Sequence, residues 1–141
     1  MLLKQSAISL AADIKAKKIS SRAVVEAHIA QIKCVNPRLN ALIYDRFAQA
    51  LREAEQADAV LAQTTDTSTL PLLFGVPCTI KDTFEFEGMP QAVGMVSRKD
   101  IYGQHDAYAV AALRKAGAIP LGVTNTPELA MWYETYNRVY G

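Results

Sequence analysis

The chain is poor in the side chains that bind metals and carry redox chemistry: 141 residues include only two cysteines and two histidines. Cys34 and Cys78 form neither a C-x-x-C pair nor a disulfide framework, so reduced thiols are expected. His28 and His105 stand far apart, and no metal-ligand spacing surrounds either. They read as surface or half-buried histidines, and metal ligation has no support. Charge of one sign is also missing. The formal net charge is +1, with Lys and Arg spread along the length, so no field exists to hold nucleic acid or to draw the whole chain to an anionic membrane. Long apolar runs are absent too. Ala7-Ile8-Ser9-Leu10-Ala11-Ala12 is cut by Asp13 and Lys15 well short of a spanning length, and no small-residue cleavage site follows a clean apolar core. The expectation is therefore no membrane helix, and a soluble chain in a cytoplasmic or other intracellular setting.

Half of the residues are hydrophobic and about a fifth are charged, which suits a folded core and argues against disorder. The length fits one domain or a piece of something larger. Residues 6–17 and 20–34 read as helices. The second has Val25, Ile29 and Ile32 at helical spacing, Ser20 or Ser21 as its N-cap, and Asn36-Pro37 as its expected end. Residues 45–63 give the strongest helical pattern, with Phe47, Leu51, Ala54, Ala57 and Leu61 on one face. The Thr-rich stretch 64–70 reads as a joint between this helical front (6–63) and the start of an α/β core (71–141).

Beyond residue 72 the period changes. Residues 76–81 read as a buried strand and 83–87 as a half-exposed one that turns Glu85 and Glu87 to water. Asp106 is placed to cap a helix running to Ala116 and closed by Gly117. Residues 119–123 read as the next strand. Thr126, Pro127 and Glu128 have the order of a further helix start, with residues from about Leu129 inside it. Strand, helix, strand gives an α/β class: N-terminal helices followed by strand-helix-strand units of a mixed sheet.

Lys81 ends the apolar run 75–80 and is followed by Asp82. An ammonium drawn partly out of water loses preference for its charged form, and such an amine can take a proton from a nucleophile. The common alternative is a solvated strand end with Asp82 as counter-charge.

These segments, Gly75-Val76-Pro77-Cys78-Thr79-Ile80-Lys81-Asp82, then Asp106 through Leu113-Arg114-Lys115-Ala116-Gly117-Ala118, then Thr124-Asn125-Thr126-Pro127-Glu128, resemble the amidase signature family in order and spacing. Val35-Asn36-Pro37 with Arg38-Leu39-Asn40-Ala41 is similar to that family's N-terminal segment, and the resemblance runs from about residue 6 to Gly141. Met131-Trp132-Tyr133-Glu134 and Asn137 through Gly141 look most like the fatty-acid amide hydrolase branch, the amidotransferase branch being the alternative within the family. Gly94-Met95 departs from the Gly-Ser of many relatives, so a hydroxyl contact at Met95 is in doubt.

The resemblance implies an amide hydrolase in which a Ser nucleophile, a second Ser and a Lys cleave a small-molecule amide, in this branch a fatty-acid amide, through an acyl enzyme and without cofactor. The Lys falls on Lys81. No Gly-Gly-Ser-Ser-Gly stretch occurs among these residues, so the chain reads as an incomplete amidase signature fold, inactive alone: a truncated gene, a splice product or part of a divided polypeptide. Cys78 is not expected to substitute as nucleophile, since on a strand it and Lys81, three apart, point to opposite faces and cannot meet without a bulge; a buried core thiol is expected. Leu129, Ala130, Met131 and Trp132 match the segment lining the family's substrate pocket. Alternatively Leu129 and Trp132 simply pack on the sheet. A non-catalytic chain binding a partner or an amide ligand through this apolar region is the rival reading. Oligomeric state is left open.

Overall fold

The computed structural model describes residues 2–141. Helix α1 (Ala7–Lys15) starts where the Ser6 hydroxyl accepts a hydrogen bond from the Ser9 amide, and α2 (Ser21–Leu39) starts on Ser20 in the same way. Asn36-Pro37 does not end α2 as expected. The helix carries Pro37 in its last turn and stops at Asn40, whose backbone is left-handed at φ 47°. So close to a C-terminus a proline removes a single ladder bond. The Asn36 carboxamide meanwhile clamps the outgoing chain, donating to the Leu42 carbonyl at 2.8 Å and accepting from its amide at 2.7 Å.

That clamp launches a strand the helical reading missed. Strand β1 (Leu42–Asp45) precedes α3 (Phe47–Gln63), so Asp45 belongs to the sheet and the helix begins two residues later than expected. Strand β2 (Pro77–Lys81), helix α4 (Tyr108–Lys115) and strand β3 (Ile119–Thr124) complete the core. The sheet order is β1-β3-β2, with β3 parallel to β2 and antiparallel to β1. A mixed α/β architecture is what the alternation of elements indicated. The parallel pair needs a crossover, and α4 lies on it. Central position explains why β3 is buried almost throughout, whereas β1 and β2 are mixed.

Three apolar clusters hold the layers together. Helices α2 and α3 press Val25, Ile29, Ala50 and Ala54 onto Ile119 and Leu121 of β3. Val110 of α4 meets Ile80, Val123 and Phe86. The third joins Leu10, Ile14, Val24 and Leu61 to Phe74 and Val76, and so brings together residues on either side of the Thr-rich stretch.

Three expectations fail for identifiable reasons. Residues 83–87 form no strand: the Phe84 amide turns back to the Lys81 carbonyl at 2.9 Å, Phe86 is buried and Phe84 exposed. Glu85 is half-buried and, still at the surface, accepts the amides of Gln104 and His105, while Glu87 remains exposed. Asp106 caps no helix, because its carboxylate takes the Glu87 amide at 3.1 Å and the Arg114 guanidinium at 2.5 Å. The helix expected from Thr126 is only a single 3-10 turn, Glu128–Ala130, with Leu129 and Ala130 left-handed. The Thr126 carbonyl, needed as an acceptor by a helix starting there, is taken by the Asn137 side chain, and the Leu129 amide goes to the Val93 carbonyl.

Candidate functional site

Lys81 sits where β2 ends, opposite Thr124 at the end of β3. Its side chain is half-buried and turns across the sheet end, where Nζ donates to the main-chain carbonyl of Asn125 at 2.5 Å. Asp82 provides no counter-charge: it is fully buried, no ion pair joins it to Lys81 among the described residues, and the main-chain amides of residues 92–94 face its carboxylate without reaching full hydrogen-bond geometry. Burial pushes the Asp82 carboxyl above the usual aspartate range. The amides of Gly94, Val93 and Ala92 and the charge of Arg98 pull the other way without overcoming it.

Asn125 is itself locked. It is 2 % exposed; its side-chain oxygen accepts from Asn137 at 2.7 Å, and its side-chain nitrogen donates to the carbonyls of Asn40 and Gly141 at 3.3 and 3.0 Å. Its amide donates to Ala41. Sequence reasoning passed over both Asn125 and Asn137 because a single buried carboxamide leaves no periodic trace. The available signal was the short polar segment at Asn137, whose side-chain oxygen accepts the amides of Val139 and Tyr140, a local turn of the kind asparagine favours.

The 92–94 segment ties these parts together. Val93 and Gly94 both have positive φ, and a Cβ on Gly94 would stand 2.9 Å from the Glu128 backbone. Only glycine permits that approach. Left-handed Val93, Leu129 and Ala130 are therefore gathered around one contact, the Leu129 amide on the Val93 carbonyl at 2.9 Å.

Of the residues expected to line a substrate pocket, Met131 and Trp132 border an open depression of about 350 Å³ together with Pro127, Glu128, Glu134, Tyr136, Asn137 and Arg138. Leu129 and Ala130 lie outside its wall. Leu129 and Trp132 do not pack on the sheet, since both are exposed. Lys81 does not open into the depression either, but it lies two hydrogen bonds behind, through Asn125 and Asn137. Cys78 is half-buried and packs against the Ile80 cluster, on the far side of a register irregularity between Cys78 and Ile80; burial pushes its thiol up to about 11, and the nearby charges are Arg46 and Glu53. No group of three or more His, Cys, Asp or Glu side chains gathers to hold a metal, and no helix is long and apolar enough to cross a membrane, among the described residues.

The Amidase family profile matches residues 23–141. The chain belongs to that family, the amidase signature enzymes. It is 47 % identical to fatty-acid amide hydrolase 2-A of Danio rerio over 99 % of its own length and 27 % of that protein's. To a glutamyl-tRNA(Gln) amidotransferase chain of Acidothermus cellulolyticus it is 36 % identical, over 99 % of its length and 27 % of the other. The solved structure of a fatty acid amide hydrolase superposes with a TM-score of 0.91 at 23 % identity, covering 99 % of this chain and 24 % of that one, a likeness of fold. The chain thus spans about a quarter of the length of such relatives.

Proposed function

We propose that these residues supply the lysine and part of the substrate wall of an amide hydrolase acting on fatty-acid amides. Lys81 is the proposed base: as an amine it takes the proton of a serine attacking the amide carbonyl, and the proton then goes to the departing amine. Water hydrolyses the resulting acyl enzyme. Serines and oxyanion donors are needed for turnover, and none of the 141 residues offers the Gly-Gly-Ser-Ser-Gly stretch, so the proposed role of the chain taken alone is non-catalytic. Met131 and Trp132, with Leu129 and Ala130 on the adjoining turn, are the proposed apolar contacts for an acyl chain. The fatty-acid branch is favoured over the amidotransferase branch by the higher identity to the first.

The observation that carries the proposal is the half-buried Lys81 side chain aimed by a fixed carbonyl at a sheet end, rather than trailing in solvent. The test is hydrolysis of a long-chain primary amide by the full-length protein carrying this chain, compared with a short-chain amide. Release of ammonia with preference for the long chain is expected. Absence of hydrolysis, or strict dependence on a transfer RNA substrate, overturns the reading. The rival is a partner-binding role for the exposed Met131, Trp132 and Tyr133.

A further inference from the structure

We propose that Asn137 is a positioning residue for Lys81, acting through the Asn125–Thr126 peptide; this rests on reading Lys81 as the working amine. The Lys81 ammonium donates to a main-chain carbonyl, and a carbonyl can aim an ammonium only as firmly as its peptide is held. The Asn137 side-chain nitrogen ties down both residues that this peptide joins, donating to the Asn125 side-chain Oδ1 at 2.7 Å and to the Thr126 carbonyl of the following peptide at 2.8 Å, while the Thr126 amide also donates to Asn125 Oδ1 at 3.0 Å. Its oxygen accepts the amides of Val139 and Tyr140 at 2.9 and 2.8 Å. Two donors and two acceptors exhaust the capacity of a carboxamide.

The surroundings make this grip stiff. Asn137 is 7 % exposed, so these bonds compete little with water and are stronger for it. Its backbone exchanges two further hydrogen bonds with Gly141, at 3.1 and 3.0 Å, and the Gly141 carbonyl accepts the Asn125 side chain. The loop is closed on itself before it touches the lysine. One side chain thus bridges the two residues joined by the peptide whose carbonyl Lys81 uses. Because Asn137 also borders the Met131–Trp132 depression, a ligand seated there would press on the same carboxamide.

Aspartate at 137 keeps the shape but loses both donors, whereas glutamine keeps the donors and displaces them. The experiment follows the Lys81 side-chain resonance, assigned with Lys81→Arg, in nitrogen-15 lysine-labelled full-length protein, beside Asn137→Asp and Asn137→Gln. Exchange of the Lys81 ammonium protons with water should quicken about tenfold in Asn137→Asp, the scale of one hydrogen bond to a charged group, with partial recovery in Asn137→Gln and the other lysines unmoved. An unchanged Lys81 signal in a folded Asn137→Asp variant overturns the proposal. Should neither variant fold, native-state exchange of the wild type decides. Loss of protection by Lys81 and the Asn137 carboxamide in one common opening supports the coupling, and free exchange at Lys81 while Asn137 stays protected refutes it. The readout needs no turnover, so its failure is distinct from failure of the hydrolase reading.

Discussion

The Lys81 ammonium and the Asn125 carbonyl meet at 2.5 Å across the ends of two parallel strands, although 44 residues separate them in sequence. The contact is a product of strand register: Lys81 lies opposite Thr124, so the residue after Thr124 is the first whose carbonyl can face the lysine. Whatever Lys81 does therefore depends on β2 and β3 staying in register.

The Arg46–Glu53 pair should contribute measurably to the hold of α3 on β3. Arg46 grips Glu53 with two guanidinium nitrogens and donates to the Pro120 carbonyl of β3 at 2.6 Å. Burial raises the Glu53 carboxyl, but Arg46 overrides it and holds the group below its usual range. Glu53→Gln should cost about 3 kcal/mol, the lower end for breaking a mostly buried pair, read from urea denaturation at neutral pH. A carboxyl with a depressed folded pKa stabilises above its unfolded pKa and loses that contribution as pH falls through the folded value. The gap between wild type and Glu53→Gln should accordingly narrow below the ordinary glutamate value of 4.5.

Asp82 should show the opposite slope. Its folded pKa is raised, chiefly by burial, so the folded state holds its proton more tightly than the unfolded chain does. Its contribution is complete below the ordinary aspartate value of 3.8 and is lost as pH rises through the folded value. Melting temperatures of wild type and Asp82→Asn, compared upward from pH 4, should show the wild type losing ground. A flat difference or one of reverse sign would contradict the raised, burial-dominated Asp82 carboxyl.

Cys78 should be inert. With its thiol pushed up to about 11 by burial, almost no thiolate exists at neutral pH, and the thiolate is the reactive form. Timed alkylation with iodoacetamide, read by mass spectrometry, should label exposed Cys34 well before Cys78. Equal rates would show that Cys78 is more open than its packing against the Ile80 cluster allows.

Legibility in the sequence followed the range of the interactions. The α3 stripe, a serine cap at Ser20 or Ser21, and β2 and β3 as apolar runs were readable because local periodicity and capping decide them, whereas Ser6, read as the first helical residue, is in fact the cap of α1. Strand β1 was not, being four residues long and pinned by the Asn36 carboxamide rather than by any pattern of its own. The helix signal at Thr126-Pro127-Glu128 was locally sound but was overruled by Val93 and Asn137, which take its amide and its carbonyl. At the site, Lys81 stood out as a charge closing an apolar run, whereas Asn125 and Asn137 acquire meaning only once the chain has folded back on itself.

The central claim is that position 81 needs an amine, and replacing that amine and then restoring it tests this most directly. In the full-length protein Lys81→Cys should lose roughly 10²- to 10⁴-fold in amide hydrolysis, the range for removing a proton-transferring group. Treatment with 2-bromoethylamine, which converts the new thiol into a lysine-like amine, should recover much of the loss, while wild type treated in parallel stays unchanged. Lys81→Cys hydrolysing amide at the wild-type rate before treatment would contradict the claim.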